Sequence, residues 1–406
     1  MSELPSSVAL QTAAATEAAD RLTQFLRTNL AIGGSVALHE PSFEGREWAY
    51  VKECLDIGWV SSAGKFVERF ETMTAAACGA AHGVAVVNGT AGLHAALLAA
   101  GVRDGDAVIC PALTFIATAN AISYCGAAPL FVDIEDRTLG IDSAKLAAFL
   151  DEACETGPEP SDLRHRDSGR RIAAILPVHV FGHPADMDGL LDLAARHRLP
   201  VIEDAAEALG SRHRRGACGT LGAAGVISFN GNKTLTTGGG GVIVTNDADL
   251  ARRLKHLTTT ARTPHRWWYD HDAVGFNYRM PNINAALGCA QMELLPQFLA
   301  RKRRLAEWYD KIFAGLNGVE VLREPAGCRS NYWLNALLFK DAPTRDLFLE
   351  LTNNQGIETR PCWRLIPDTT AYQDALRAAD LTVSRDIVSR LVNIPSGPCL
   401  NPDDIG

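Results

Sequence analysis

In the stretch SFNGNKTLTTGGGG, residues 228–241, a single amine, Lys233, stands five residues after Ser228 and five before a run of four glycines. Three roles compete for a lysine in such surroundings: gripping phosphate, plain solvation, and covalent chemistry. The phosphate-loop motif needs Gly directly before Lys and another Gly five residues before that one. Asn232 and Ile227 hold those positions, so that motif fails on spacing. Solvation is the default for any lysine taken singly. Against it stand the apolar run VISF that leads in and glycines that let backbone approach a ligand closely. The spacing predicts a partly desolvated amine at a strand end. Desolvation favours the neutral, nucleophilic amine that imine chemistry requires.

An imine-forming pyridine cofactor needs three further partners, and each has a candidate. A carboxylate must face the ring nitrogen so that the ring stays protonated and withdraws electrons. Asp204 ends the apolar run PVIED, 29 residues before Lys233, although a strand-end Asp taken alone can be a helix cap. A phosphate needs an anion cup. VAVVNGTAGLHAALLAA reads as strand, Asn-Gly-Thr, then Ala-rich helix, which puts Gly89, Thr90 and Ala91 at a helix N-terminus. Free N–H groups and the helix dipole favour an anion there. Ser228 adds a hydroxyl from the lysine's own strand. Phe115, in CPALTFIATANAI, offers a flat ring between a strand and a helix, where a core aromatic is the plainer reading. Each signal alone is weak; together they point to pyridoxal 5′-phosphate (PLP).

These residues need a scaffold that gathers strand ends. VAVVN (84–88), AVIC (107–110), PLFVDI (129–134), IAAILPVHVF (172–181), PVIED (200–204), GVISFN (225–230) and GVIVTN (241–246) read as buried strands. Helical segments such as AGLHAALLAA (91–100) and DMDGLLDLAARH (186–197) lie between many of them. Non-alternating strands separated by helices predict an α/β fold with a largely parallel sheet covered on both faces. Ligands bind beyond the carboxyl ends of such strands. Residues 1–35 read as an N-terminal extension, either a helix packed on the body or a tail, 36–297 as a large domain, and 298–406 as a smaller C-terminal α+β domain with NYWLNALLFK (331–340) as a strand. The polar segment 151–171 is expected to be a solvated loop.

With 406 residues, 47% hydrophobic and 21% charged, the chain has the profile of a soluble globular protein. A net charge of −8 gives no support for a nucleic-acid grip. The basic-aromatic run RTPHRWWYD (262–270) is therefore read as an arm crossing to a partner subunit rather than a single-strand binder. Ten scattered cysteines with no C-x-x-C spacing argue against a zinc site and for reduced thiols in the cytoplasm. The first twenty residues lack a basic n-region and an apolar h-region, and no run approaches ~18 apolar residues, so neither a secretory signal nor a membrane partner is expected.

GWVSSAGKFVERFE, NGTAGLHAAL, PALTFIATANAISYCGAAPLFVDIE, HVFGHPADMDGL, VIEDAAEALGS, SFNGNKTLTTGGGG and GFNYRMPNINAALGCAQME occur in that order. In them the chain resembles, over about residues 38–400, the PLP-dependent nucleotide-sugar aminotransferases, which include perosamine synthase and enzymes aminating 4-keto-6-deoxy sugars. TTTARTPHRWWYDHDAVGFNYRMPN and NYWLNALLF look most like the branch serving legionaminic acid and bacillosamine-type sugars. The resemblance implies the aspartate-aminotransferase-like (type I PLP) fold. It implies Lys233 as the imine lysine and proton carrier, Asp204 at the ring nitrogen, Glu207 near the ring's 3-hydroxyl, and Phe115 stacked on the ring. It implies Thr90, Ala91 and Ser228 at the phosphate, and Asn277 reaching the phosphate of a neighbouring subunit, hence a homodimer with shared sites. Trp59, Ser62 and Arg279 are expected at the sugar nucleotide. Pro367 stands where relatives carry a sugar-contacting His. The expected reaction moves an amino group, from glutamate by family analogy, to C4 of a nucleotide-linked 4-keto-6-deoxy sugar. The alternatives are a 3-keto-sugar aminotransferase of the same fold and a non-catalytic regulator that binds PLP or a sugar nucleotide.

Overall fold

The computed structural model describes residues 6–157 and 162–402. The apolar runs form strands His82–Val86, Ala107–Pro111, Ala128–Val132, Ile172–Ile175, Ile202–Asp204, Ala224–Ser228 and Gly241–Thr245. Two four-stranded ladders meet edge to edge, because parallel bridges Ile175–Val201 and Val178–Asp204 join strand Ile172–Ile175 to strand Ile202–Asp204. Every neighbouring pair in this combined sheet is parallel except the two made by Gly241–Thr245. That strand runs against His82–Val86 on one side and Ala224–Ser228 on the other.

Alternation explains why the strands carry no polar face. In Ala107–Pro111, Val108 and Cys110 pack with Leu93 and Leu97 of the helix Gly89–Ala99. Ala107 and Ile109 pack oppositely, with Leu146 and Leu190 of helices Ser143–Ala153 and Met187–His197. Successive side chains point to opposite faces, so a sheet covered twice needs apolar residues at both parities.

Two expectations need correction. The run 172–181 is not one strand: its ladder with Ala107–Pro111 ends at Ile175, and a 3-10 turn occupies Val180–Gly182. Pro177 has no N–H to continue a ladder, and Phe181 turns to a positive φ of 56°. The segment 151–171 is not simply a loop. Helix Ser143–Ala153 runs into it, and Cys154–Thr156 pairs antiparallel with Leu163–His165 while Cys154 and Leu163 pack under the sheet. Residues 158–161 lie outside the described residues.

The C-terminal region forms a separate antiparallel sheet of Val319–Val321, Asn335–Phe339, Leu391–Ile394 and Arg360–Pro361. A 31-residue helix, Asn282–Ile312, serves both regions. Its Phe298 packs beside Phe70 and Phe229, whereas Leu305 and Tyr309 join Phe339 and Phe348. Helix Ser6–Gln24 and the π-turn Phe25–Asn29 cover that second core with Leu22, Phe25 and Leu26. Short strand Leu376–Arg377 returns to the edge of the main sheet beside Ala128–Val132.

Candidate active site

The carboxyl ends of parallel strands open onto one cavity of about 300 Å³. Strand Ile202–Asp204 contributes Asp204, Ala224–Ser228 contributes Ser228, and the link after Ala107–Pro111 contributes Thr114 and Phe115. Lys233 follows its strand through a tight turn in which its N–H donates to the Asn230 carbonyl at 3.0 Å. Its Nζ donates to Glu207 Oε1 at 3.1 Å and lies 3.8 Å from the centroid of the Trp333 ring. The side chain is 13% exposed, so the amine sits in the wall of the cavity rather than in bulk water.

Asp204 is buried at the cavity floor. Thr118 Oγ1 donates to its Oδ2 at 2.6 Å and the Ala206 N–H to its Oδ1 at 3.2 Å. Burial pushes the Asp204 carboxyl above its ordinary value, with the Thr118 hydroxyl opposing. A cationic ring nitrogen opposite it would offset that burial. Glu207 is raised by burial in the same way, opposed by Lys233 and by the Phe181 N–H, which donates to Oε2 at 2.8 Å. The positive φ of Phe181 is thus held by a carboxylate of the site. Gly182 follows with φ 90°, and a Cβ there would lie 1.9 Å from Asn331 Oδ1. Asn331 Nδ2 donates to the carbonyls of Glu207 and Leu209, so this glycine lets Asn331 pin the Glu207 segment.

The cup lies at the start of helix Gly89–Ala99. Asn88 caps it in extended conformation, and its Oδ1 accepts from the Ala91 N–H at 2.8 Å. Ala91's N–H is engaged by this cap, while Gly89, Thr90 and Asn88 line the cavity. Ser228 faces Gly89, where a Cβ would come within 3.2 Å of Ser228 Cβ. The glycine run has a packing reason here. A Cβ on Gly241 would lie 2.8 Å from Asn88 C and 2.9 Å from Gly89 N, so strand and cup meet backbone to backbone. A cradle of small residues, a buried carboxylate and an amine around one cavity fit PLP.

The structure thus brings Lys233, Asp204, Glu207, Ser228, Gly89, Thr90 and Phe115 together. Phe115 is half exposed at the rim, its ring centroid 6.0 Å from that of Trp363. Besides Ala91, four expected residues do not line this cavity within one chain: Trp59, Ser62, Asn277 and Arg279. They lie around the start of the long helix. Asn282 Nδ2 donates to the Trp59 carbonyl at 2.7 Å, the Asn282 N–H to the Ser61 carbonyl at 2.6 Å, and Arg279 Nε to Asn277 Oδ1 at 3.3 Å. Pro367 is buried in the 3-10 turn Ile366–Asp368. Asp186, Asp188 and His213 also converge, but Asp188 is already paired with Arg214 and Arg215.

The sequence reading missed Trp333, Trp363, Thr118 and Val178. The two tryptophans arrive from the C-terminal region, with no local signal to mark them. Thr118 lies one helical turn after Thr114, and their hydroxyls meet at 2.7 Å, a spacing that was visible.

The model of the DegT/DnrJ/EryC1/StrS aminotransferase family matches residues 41–406. The chain is 39% identical to GDP-perosamine synthase of Caulobacter vibrioides over 91% of this chain and 95% of that protein. It is 38% identical to UDP-N-acetyl-3-dehydro-α-D-glucosamine 3-aminotransferase of Acidithiobacillus ferrooxidans over 63% of this chain and 64% of that one. The crystal structure of the aminotransferase TlmJ from Streptoalloteichus hindustanus superposes with a TM-score of 0.81 at 28% identity, covering 92% of this chain and 96% of that chain.

Proposed function

Because the chain belongs to the DegT/DnrJ/EryC1/StrS aminotransferase family and is a PLP-dependent sugar aminotransferase, we propose that it aminates C4 of a nucleotide-linked 4-keto-6-deoxy sugar with glutamate as donor. The observation that carries the site assignment is the placement of the Lys233 amine, which shares one cavity with Asp204 and the Gly89–Thr90 cup. PLP, when bound, supplies an aldehyde that takes up and passes on the amino group and a ring that withdraws electrons from the reacting carbon.

The chain's residues do the rest. Lys233 would hold the cofactor through its aldehyde carbon, and its amine would serve as the base and acid that moves the reaction's proton. Asp204, anchored by Thr118, would hold the ring nitrogen protonated. Gly89, Thr90 and Ser228 hold the phosphate by backbone N–H and hydroxyl, with Ala91 as helix support. Phe115 would cover the ring, and Glu207, which accepts from Lys233 Nζ at 3.1 Å, would lie near the ring's 3-hydroxyl. We assign residues 36–297 to the cofactor-binding unit and 298–406 to the unit that brings Trp333 and Trp363 over it.

A second copy of the chain completes the site in this reading. Trp59, Ser62, Asn277 and Arg279 lie off the cavity of their own chain and would serve the partner's. Trp59, Trp267, Trp268, Tyr269 and Val274 are all more than half exposed, an apolar surface suited to a dimer interface. Sedimentation should return a dimer, and Asn277→Ala should weaken PLP binding without dissociating it; a monomer with full activity would refute this arrangement. No helix among the described residues is long and apolar enough to cross a membrane, and we place the reaction in the cytoplasm.

The test of function is amination of 4-keto against 3-keto nucleotide sugars, followed by 2-oxoglutarate release. Exclusive use of the 3-keto sugar would move the assignment to the activity for which the Acidithiobacillus relative is named. Binding of PLP without turnover of any donor would favour a regulator. Lys233→Ala should lose borohydride-trappable cofactor and all turnover, and normal turnover in that variant removes the lysine from the mechanism.

A further inference from the structure

We propose that Trp333 is the positioning residue for the catalytic amine, and that the buried Lys302 holds Trp333 in place. The inference rests on Lys233 being the imine lysine. Trp333 touches the lysine in two ways. Its ring face lies 3.8 Å from Lys233 Nζ, and its Nε1–H donates to the Asn232 carbonyl, at the peptide that leads into Lys233, at 2.7 Å. One side chain therefore fixes both the root and the tip of the lysine. Glu207 Oε1 meets the same Nζ at 3.1 Å, so the amine is held between a carboxylate and an indole face. An indole face attracts an ammonium, more strongly once water is excluded.

Trp333 is itself pinned from behind. Lys302, on the long helix, is 1% exposed. Its Nζ donates to the Trp333 carbonyl at 3.2 Å and to the Ser396 carbonyl at 2.5 Å, and lies 3.0 Å from His39 Nε2. It thus joins the helix to three distant segments. Burial pushes the Lys302 amine down to about 7, and both its protonation states keep N–H groups for the two carbonyls. Burying an amine with no carboxylate partner is costly, and here its N–H groups are spent on the carbonyls of Trp333 and Ser396. Trp363 stacks against Trp333 at 6.4 Å and 25°, which blocks the ring from swinging away.

The test separates imine formation from cofactor docking. Purified full-length protein is stripped of cofactor, and the rate of imine formation with PLP is followed by visible absorbance. Affinity for pyridoxamine phosphate, which has the same ring and phosphate but no aldehyde, is measured beside it. Trp333→Leu removes both the ring wall against Nζ and the Asn232 anchor and should slow imine formation about tenfold through lost orientation of the amine, and leave pyridoxamine phosphate affinity within about twofold. Trp333→Phe keeps a ring face but loses the Asn232 anchor and should slow it about threefold. Lys302→Met should act in the same direction. These two serve if Trp333→Leu does not fold. Unchanged rates in Trp333→Phe and Lys302→Met, or an equal loss of pyridoxamine phosphate affinity in the variants, would overturn the proposal. Wild-type protein that forms no imine with PLP would instead overturn the lysine assignment, and this inference with it.

Discussion

Asp204 and Glu203 are adjacent in the chain and do opposite work. Glu203 is buried on the far face, where its Oε2 accepts from His179 Nε2 at 2.9 Å and Gly219 N–H at 2.8 Å, and its Oε1 from Leu221 and Gly222 N–H groups. Every lone pair there is used in holding the chain. Asp204 keeps its carboxylate toward the cavity, raised by burial. A carboxyl raised on folding binds more protons in the native state, so stability falls as pH rises above the ordinary Asp value of 3.8. Without cofactor, Asp204→Asn should therefore be more stable than wild type at neutral pH, and the gap should close toward the acid end of the carboxylate range. Thermal melts of the cofactor-free proteins across pH measure this. With cofactor the same variant should lose turnover about 100-fold or more, because an electrostatic partner of the ring is gone. A variant equally stable at every pH would show that Asp204 is not strained by burial.

At the scale of elements, the site depends on two close approaches that only glycine permits. Gly241→Ala would force the strand Gly241–Thr245 away from the backbone of Asn88 and Gly89. The expected cost is about 1–3 kcal/mol of stability together with weaker PLP binding, read by a denaturant melt and a cofactor titration on one preparation. Asn88→Ala should cost about 1 kcal/mol through the lost cap on Ala91, and it should loosen the cup as well. The strand–Asn-Gly-Thr–helix order was legible because capping chemistry is local. The need for Gly241 was not, since the backbone it meets lies some 150 residues earlier in the chain.

At the scale of the molecule, the long helix Asn282–Ile312 links the two cores and carries Lys302 between them. The N-terminal lead closes the second core: Phe25 lies 5.8 Å from Trp308 and 5.6 Å from Tyr309, ring centroid to centroid. Phe25→Ala should destabilise this core by about 3–5 kcal/mol, seen as an earlier transition in denaturant. Because Trp333 and Trp363 are delivered by that region, imine absorbance should be lost with the earlier transition. Survival of the imine signal past it would mean that the C-terminal unit is dispensable for holding the cofactor.

The fold class and the central pair were written in the chain itself. Uninterrupted β-branched runs between helices can only be buried on both faces, and a strand-end Asp, a capped Gly-Thr and a lysine among small residues are local patterns. Tertiary structure decided what lies far apart in sequence: the indole under the amine, the threonine behind the aspartate, and the spent N–H of Ala91. It also set apart Trp59, Ser62, Asn277 and Arg279 from their own chain's cavity. Side-chain contacts across a hundred residues depend on how two cores dock, and no periodicity in either segment records that docking.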